Sequence, residues 1–122
     1  MSNATRVIVG CSHGEQEPDR VIVAYLTAVA ALDQGKEVVM WLTGDGVLLA
    51  TEGYVAPIRA DKEPPVQRLH EQFQQKGGTF YTCPICFKER ALDPGQLVDG
   101  AELKGATPLM EFAADGAMTF TY

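Results

Sequence analysis

The sequence EVVMWLT, residues 37–43, is nearly continuous in apolar side chains. Such a run is typical of a strand in a parallel sheet, where helices cover both faces and neither side of the strand meets water. We therefore predict that this segment is the central strand of a parallel sheet. Gly44 and Gly46, on either side of Asp45, end the strand because glycine readily adopts the backbone conformations of turns.

Strands and helices alternate along the chain on both sides of this segment. Further strands are predicted at residues 6–11, 79–83 and 117–122, with a weak one near residues 101–103. Helices are predicted from Pro18 to Gly35, over residues 47–51, from Pro64 to Gly77, after Pro84, and after a cap at Thr107 and Pro108. Alternation of this kind implies parallel pairing with right-handed crossovers. The predicted fold is an α/β, three-layer α/β/α sandwich of about five mainly parallel strands, in a single domain over residues 1–122.

The apolar positions predict which side of each long helix faces the sheet. In the first helix the predicted face consists of Ile22, Leu26, Val29 and Ala30. In the second helix it consists of Val66, Leu69, His70 and Phe73. His70 is accordingly predicted to be a hydrogen-bonded core residue. Residues 53–65 contain three prolines and no periodicity, which predicts a mobile loop.

Composition narrows the classes of partner and compartment. The 122-residue chain carries 10 Lys and Arg against 16 Asp and Glu, a net charge of −6, and no basic run that could follow a phosphate backbone, so we expect no nucleic-acid partner. Its apolar runs are far shorter than the roughly 20 residues needed to span a bilayer, so we expect no membrane partner. Three cysteines, an odd number, predict reduced thiols and a cytoplasmic location.

Three loops follow the carboxyl ends of the predicted strands, where open α/β sheets bind ligands. They comprise residues 12–18, residues 44–46 and residues 83–86. We identify Ser12, His13 and Asp45 as candidate binding residues because their polar side chains would meet at this edge.

Cys83 and Cys86 are the candidate catalytic residues. If a helix begins at Pro84, Cys83 is its N-cap, where unpaired backbone N–H groups and the helix dipole favour a thiolate. Pro84 suits the first helical position, which needs no N–H donor. Cys86 would lie one turn further along, close enough to trap or resolve chemistry at Cys83.

The cysteine pair is also compatible with three roles other than nucleophilic chemistry at Cys83. Both side chains could be buried filler, since cysteine is among the most often buried residues. The spacing also suits a thioredoxin-type dithiol, although the pair lies late in the chain. A zinc site would have to combine Cys11 and His13 with this pair, because no second Cys-x-x-Cys is present. We predict no metal and no cofactor.

Residues 10–14 match Gly-x-Ser-x-Gly, the nucleophile-elbow pattern of α/β-hydrolases. That elbow runs directly into a helix and is followed by an acid and then a histidine. Here the helix signal begins only at Pro18, and His70 is the only later histidine. A hydrolase that uses Ser12 as nucleophile is therefore disfavoured, and turn formation explains these glycines better.

Taken in order, the motifs resemble the DsrE/DsrF-like family over nearly the whole chain. They are a Pro-Asp-Arg helix start at residues 18–20, Gly-Lys-Glu-Val at 35–38, Leu-Thr-Gly-Asp-Gly-Val at 42–47 and the cysteine after the third strand. The resemblance implies a small α/β subunit of a trimer or hexamer. It also implies that Cys83 corresponds to the cysteine that accepts a persulfide sulfur in the sulfur-relay members. The Cys-Pro-Ile-Cys sequence at residues 83–86 is similar to that of a branch with a Cys-Pro-x-Cys motif.

The expected function is that of an intracellular sulfur carrier or sulfurtransferase-like protein in which Cys83 forms a persulfide. Its expected partners are further copies of itself and a protein that donates or accepts sulfur. One alternative is a binding or scaffold subunit without turnover. Another is a dithiol redox module that uses Cys83 and Cys86.

Overall fold

The computed structural model describes residues 5–122, and strands and helices alternate along this part of the chain. The strands are β1 (Arg6–Cys11), β2 (Glu37–Leu42), β3 (Thr79–Thr82), β4 (Ala101–Leu103) and β5 (Met118–Thr121). The α-helices are α1 (Pro18–Asp33), α2 (Val66–Gln75), α3 (Pro84–Glu89) and α4 (Ala106–Ala113). Two 3₁₀ helices cover Gly44–Ala50 and Pro94–Gln96. Among residues 5–122 no helix is both long and apolar enough to cross a bilayer.

The five strands form one parallel sheet in the order β4-β3-β2-β1-β5, which places β2 at its centre. The predicted central strand and parallel sheet are thus confirmed. In the pairing register Cys11 lies opposite Leu42, which in turn lies opposite Thr82. The three inner strands therefore end side by side, and the loops that follow them start from a common edge.

Helices cover both faces of the sheet, as the predicted three-layer sandwich requires. On the front face α1 and α2 pack over alternate residues such as Val9, Met40 and Phe80, which are fully buried. The back face holds a smaller cluster, in which α4 contributes Leu109 and Phe112 against Ile8 and Val39 of the sheet. The crossover through α4 joins the two edge strands, β4 and β5.

The predicted inner face of α1 is only partly correct. Ile22 and Val29 are buried, but Leu26 is 42% exposed and Ala30 is exposed as well. The positions that do face the core are Val21, Ile22, Ala24, Tyr25, Ala28 and Val29. Because apolar residues surround most of this helix, periodicity alone did not determine its rotation about its axis.

The cap of α4 lies at a different residue from the predicted one. The N-cap of α4 is Gly105, so Thr107 and Pro108 lie within its first turn and do not cap it. Proline is tolerated there because first-turn N–H groups have no partner in the helix.

Residues 53–65 contain no helix or strand, as predicted, yet Val55 and Ile58 are buried in the core. The mobility of this loop remains a prediction.

The predicted face of α2 is confirmed, and His70 lies in the core as expected. Its Nδ1 atom is 2.7 Å from the hydroxyl of the buried Tyr25, and its ring stacks on Phe80 with centroids 5.3 Å apart. Burial lowers the pKa of His70 from 6.5 to about 4, and the nearby Glu71 offsets only part of that effect. Burial also raises the pKa of Tyr25 well above 10.0. The pair is therefore a neutral hydrogen bond between α1 and α2.

The neutral His70 predicts a loss of stability in acid. Unfolded chains take up a proton near pH 6.5, whereas the folded protein resists protonation until about pH 4. The contribution is complete above pH 6.5 and decreases as the pH falls toward 4, by about 3 kcal/mol in all. Urea unfolding across this pH range measures the effect.

The two histidines of the chain provide a matched control for this prediction. His70→Gln should remove most of the acid-dependent decrease, whereas His13→Gln, at the half-buried edge loop, should retain it. Equal pH slopes for wild type and His70→Gln would show that other groups cause the decrease.

Candidate functional site

The carboxyl ends of the three inner strands define the candidate site. Ser12, Thr43 and Cys83 each follow directly on a strand end, and their strands are paired in register. The backbone pairing continues past the strands, because Thr43 N donates to the Cys11 carbonyl and Cys83 N donates to the Leu42 carbonyl. With about 4.8 Å between neighbouring strands, the backbones at residues 12 and 83 are about 10 Å apart. The structure thus places the first and third predicted loops at one edge.

The glycine turn after β2 has a more specific role than ending the strand. Gly46 is buried against the end of β1, where a Cβ atom would collide with the carbonyl oxygen of Cys11. Gly44 has a φ of +52°, which side chains disfavour. Both glycines allow the backbone to fold back closely over β1. This close approach fixes the position of Asp45 between them.

Cys83 occupies the predicted position at the start of a helix. It is the N-cap of α3 with Pro84 at the first helical position, and its carbonyl accepts the first helical hydrogen bond, from Phe87 N. Cys83 and Cys86 are both half-buried free thiols. Between them the side chain of Ile85 is 75% exposed. A role as buried filler is thus disfavoured, because fully buried core cysteines would be sealed from solvent.

Asp45 is connected to the cysteine helix through Arg90, a residue that the sequence analysis missed. Arg90 donates from Nη2 and Nε to Asp45 Oδ1, at 2.8 and 3.1 Å, and from Nη1 to the Cys86 carbonyl oxygen at 3.1 Å. The spacing of Cys86 and Arg90, four residues apart, was the only available signal. Asp45 therefore serves to fasten α3 to the turn after β2.

Ser12 and His13 form the opposite side of the site. Ser12 Oγ is 3.4 Å from His13 Nδ1, and the Cys11 thiol donates to the His13 carbonyl at 3.5 Å. Burial raises the pKa of Cys11 above 9.0. Cys11 is therefore a buried, protonated thiol. His70 lies in the core against Tyr25, so the later histidine of the chain is not the partner of Ser12 that the hydrolase order of triad residues requires.

Tyr54 is a second residue that the sequence analysis missed. Its hydroxyl accepts a hydrogen bond from Glu15 N at 2.9 Å, and a Cβ at Gly14 would lie 2.5 Å from the same oxygen. Burial and the charges of Glu15 and Asp45 raise the pKa of Tyr54. Tyr54 lies in the segment predicted to be mobile, and its hydroxyl group holds the loop of residues 12–18 in place. No sequence motif indicated this contact.

The side-chain positions do not favour the zinc alternative. In the range 5–122 no group of three or more His, Cys, Asp or Glu side chains is arranged to hold a metal ion. Cys11 in addition donates its thiol proton to a backbone carbonyl, whereas a zinc ligand must be a thiolate.

The fold and the site define a class of protein: a small α/β protein with an all-parallel sheet and free thiols at the carboxyl edge of that sheet. Residues 6–122 match the model of the DsrE/DsrF-like family, and the chain belongs to that family. Its resemblance at the sequence level is confirmed, whereas its place in a branch with a Cys-Pro-x-Cys motif remains a prediction.

One curated protein and two solved structures are similar to this chain. The Methanopyrus kandleri protein named "Uncharacterized protein MK0008" is 32% identical over 99 residues, which cover 81% of this chain and 76% of the relative. The crystal structure of the ychN protein from E. coli matches with a TM-score of 0.78 at 17% identity, covering 98% of this chain and 100% of that one. The structure of MTH1491 from Methanobacterium thermoautotrophicum matches with a TM-score of 0.66 at 13% identity, covering 96% and 98%. These two structures establish likeness of fold.

The close approach at Gly46 predicts a strongly destabilising substitution. Gly46→Ala should lower the free energy of unfolding by about 3 kcal/mol, because the methyl group forces the turn away from Cys11. Gly105→Ala is the matched control, since its nearest neighbour would be Pro84 Cδ at an ordinary 3.8 Å, and it should cost less than about 1 kcal/mol. Urea unfolding measures both, and equal stabilities would contradict the proposed packing.

Proposed function

We propose that the chain is a sulfur carrier in which Cys83 accepts and passes on a persulfide sulfur. The observation that carries this proposal is the position of Cys83, a half-buried free thiol at the N-cap of α3 on the carboxyl edge of a DsrE/DsrF-like sheet. The N–H groups in the first turn of a helix have no partner within that helix, so at this position they are available to a sulfur atom carried on Cys83. A thiolate is the form that attacks sulfur.

The transfer step balances without an external oxidant. The Cys83 thiolate attacks the terminal sulfur of a donor persulfide R–S–SH, the donor S–S bond breaks, and R–S⁻ leaves as a thiolate. Cys83 is left as Cys–S–SH, which retains the proton of the transferred sulfur. An acceptor thiolate then attacks the same terminal sulfur and regenerates the Cys83 thiolate. The same first-turn N–H groups would stabilise the anionic persulfide.

Cys86 provides a second route for the persulfide on Cys83, because it lies three residues after Cys83 in the short helix that begins at Pro84. Attack of the Cys86 thiolate on the Cys83 sulfur would form a disulfide and release the terminal sulfur as HS⁻. The two thiols are oxidised and the transferred sulfur is reduced. A thiol or dithiol reductant must then restore the pair. This route is the dithiol alternative, and it predicts a different product from carriage to an acceptor.

We also propose that the chain acts as a homo-oligomer in a reducing compartment such as the cytoplasm. An apolar groove of about 440 Å³ between α1 and β5 supports self-association, and it is lined in part by Leu26, Met118 and Phe120. β5 pairs with β1 along one edge only among the described strands. Free thiols support the compartment. The proposed protein partners are a sulfur donor and a sulfur acceptor.

Intact mass analysis after incubation with a persulfide donor tests the carrier proposal. Wild type should gain the mass of one sulfur atom, and Cys83→Ser should gain none. Cys86→Ser should gain one sulfur and retain it longer, because its release as HS⁻ is blocked. Cys11→Ala is the matched control and should load like wild type, since Cys11 is buried and protonated.

The remaining outcomes separate the alternatives. Equal loading of wild type and Cys83→Ser would show that Cys83 is not the carrier. Failure of all variants to load, with normal folding, would favour the binding or scaffold subunit. Rapid appearance of a Cys83–Cys86 disulfide and free sulfide in wild type would favour the dithiol module.

A further inference from the structure

The back face of the sheet is only partly covered by its helix. α4 has eight residues and is about 12 Å long, whereas the six-residue β1 and β2 extend about 20 Å. Leu109 and Phe112 cover Ile8 and Val39. The same side of the sheet continues beyond α4 toward the carboxyl ends of the strands. This uncovered part adjoins the edge that carries Cys83.

A groove of about 230 Å³ lies in this uncovered part. Gly10, Trp41 and Thr121 belong to three adjacent strands and share the back face, because Gly10 pairs with both of the other two. Ser12 and Thr43 line it where β1 and β2 end. A Cβ at Gly10 would lie 3.3 Å from Thr121 Cγ2, so any side chain there would crowd the groove. Glycine at this position keeps it open.

The lining indicates the chemistry of a ligand. It combines two half-buried aromatic residues, Trp41 and Tyr122, with the hydroxyl-bearing residues Ser12, Thr43 and Thr121 and with Gly10 and Cys11, and no charged side chain takes part. Lys104, near the ring of Tyr81 on the next strand, is paired with Glu102 at 2.8 Å. A site without a free cation in a chain of net charge −6 disfavours anions. Its size is below the roughly 300 Å³ of drug-sized pockets and suits one ring.

The groove is close to the proposed carrier cysteine. Thr43 follows Leu42 and Cys83 follows Thr82, and these strand ends are paired in register with Cys83 N bonded to the Leu42 carbonyl. The backbones at residues 43 and 83 are therefore one strand spacing apart, about 5 Å. A ligand seated against Trp41 could direct a short sulfur chain toward Cys83.

We propose that this groove binds the organic group of a small, uncharged persulfide or thiol, with a ring against Trp41 and its polar atoms bonded to the Ser12, Thr43 and Thr121 hydroxyls. The inference rests on the proposed function for the identity of the sulfur group. It adds that the donor or acceptor of sulfur is a small molecule with an uncharged ring. Sulfur transfer then follows the balanced step above, with R–S⁻ as the leaving group in the groove.

Trp41 is the single tryptophan of the chain, so its fluorescence reports directly on occupancy of the groove. We expect benzyl mercaptan to change Trp41 emission saturably in the reduced protein. The same ring carrying a carboxylate should bind at least about ten-fold more weakly, because no cation lines the groove.

Two threonines of β5 provide a matched pair of variants. Thr121 lines the groove, whereas Thr119, two residues earlier on the same face, does not. Thr121→Val keeps the shape and should weaken benzyl mercaptan binding about five-fold through the lost hydrogen bond, whereas Thr119→Val should not change it. Gly10→Ala should weaken binding further, with thermal unfolding used to verify that each variant folds. If Gly10→Ala does not fold, the comparison of Thr121→Val with Thr119→Val still tests the proposed groove.

The possible results separate this inference from the proposed function. Binding of benzyl mercaptan without sulfur loading of Cys83 would support the proposed groove and contradict the proposed carrier role. Loading from a benzyl persulfide without a saturable Trp41 response would retain the carrier role and overturn the groove. Equal affinity for the neutral and carboxylated rings, or equal effects of Thr119→Val and Thr121→Val, would also overturn the groove.

Discussion

Parallel pairing of β1, β2 and β3 in register is the constraint on which the rest of this structure depends. Cys11, Leu42 and Thr82 lie side by side, so three loops begin at the same level of the sheet. Antiparallel pairing would have sent alternate loops to opposite edges. Every polar or sulfur-bearing residue of the candidate site, from Ser12 to Cys83, is near its neighbours for this reason.

The loops at that edge are held in place by contacts specific to this chain. Gly46 brings the turn after β2 onto the end of β1, and Arg90 joins that turn to α3 through Asp45 and the Cys86 carbonyl. Tyr54 secures the loop after β1. The ion pair of Arg90 is half-exposed and contributes little free energy by itself, about 1 kcal/mol at most. Its importance is geometric, since it links the cysteine helix to the turn that carries Asp45.

Incomplete coverage of the sheet leaves two of its surfaces exposed. The short α4 leaves the carboxyl part of the back face exposed around Trp41, and no helix among the described residues covers the front of β5, where Met118 and Phe120 are each 41% exposed. Both openings lie outside the main front-face core, which is closed by α1, α2 and the Tyr25–His70 hydrogen bond. The closed core and the open surfaces are therefore separate parts of one sheet.

The sequence by itself determined the strands, their parallel pairing, the central position of β2, the face of α2 and the position of Cys83 at a helix start. These features follow from local signals, namely β-branched runs, helical periodicity, proline and glycine. Only the tertiary structure decided the rotation of α1, the partner of Asp45 and the contact of Tyr54 with the edge loop. Arg90 and Asp45 are 45 residues apart, and α1 is apolar on most sides, so neither outcome is encoded in a local pattern. Contacts between distant segments depend on how the layers pack, which no short stretch of sequence specifies.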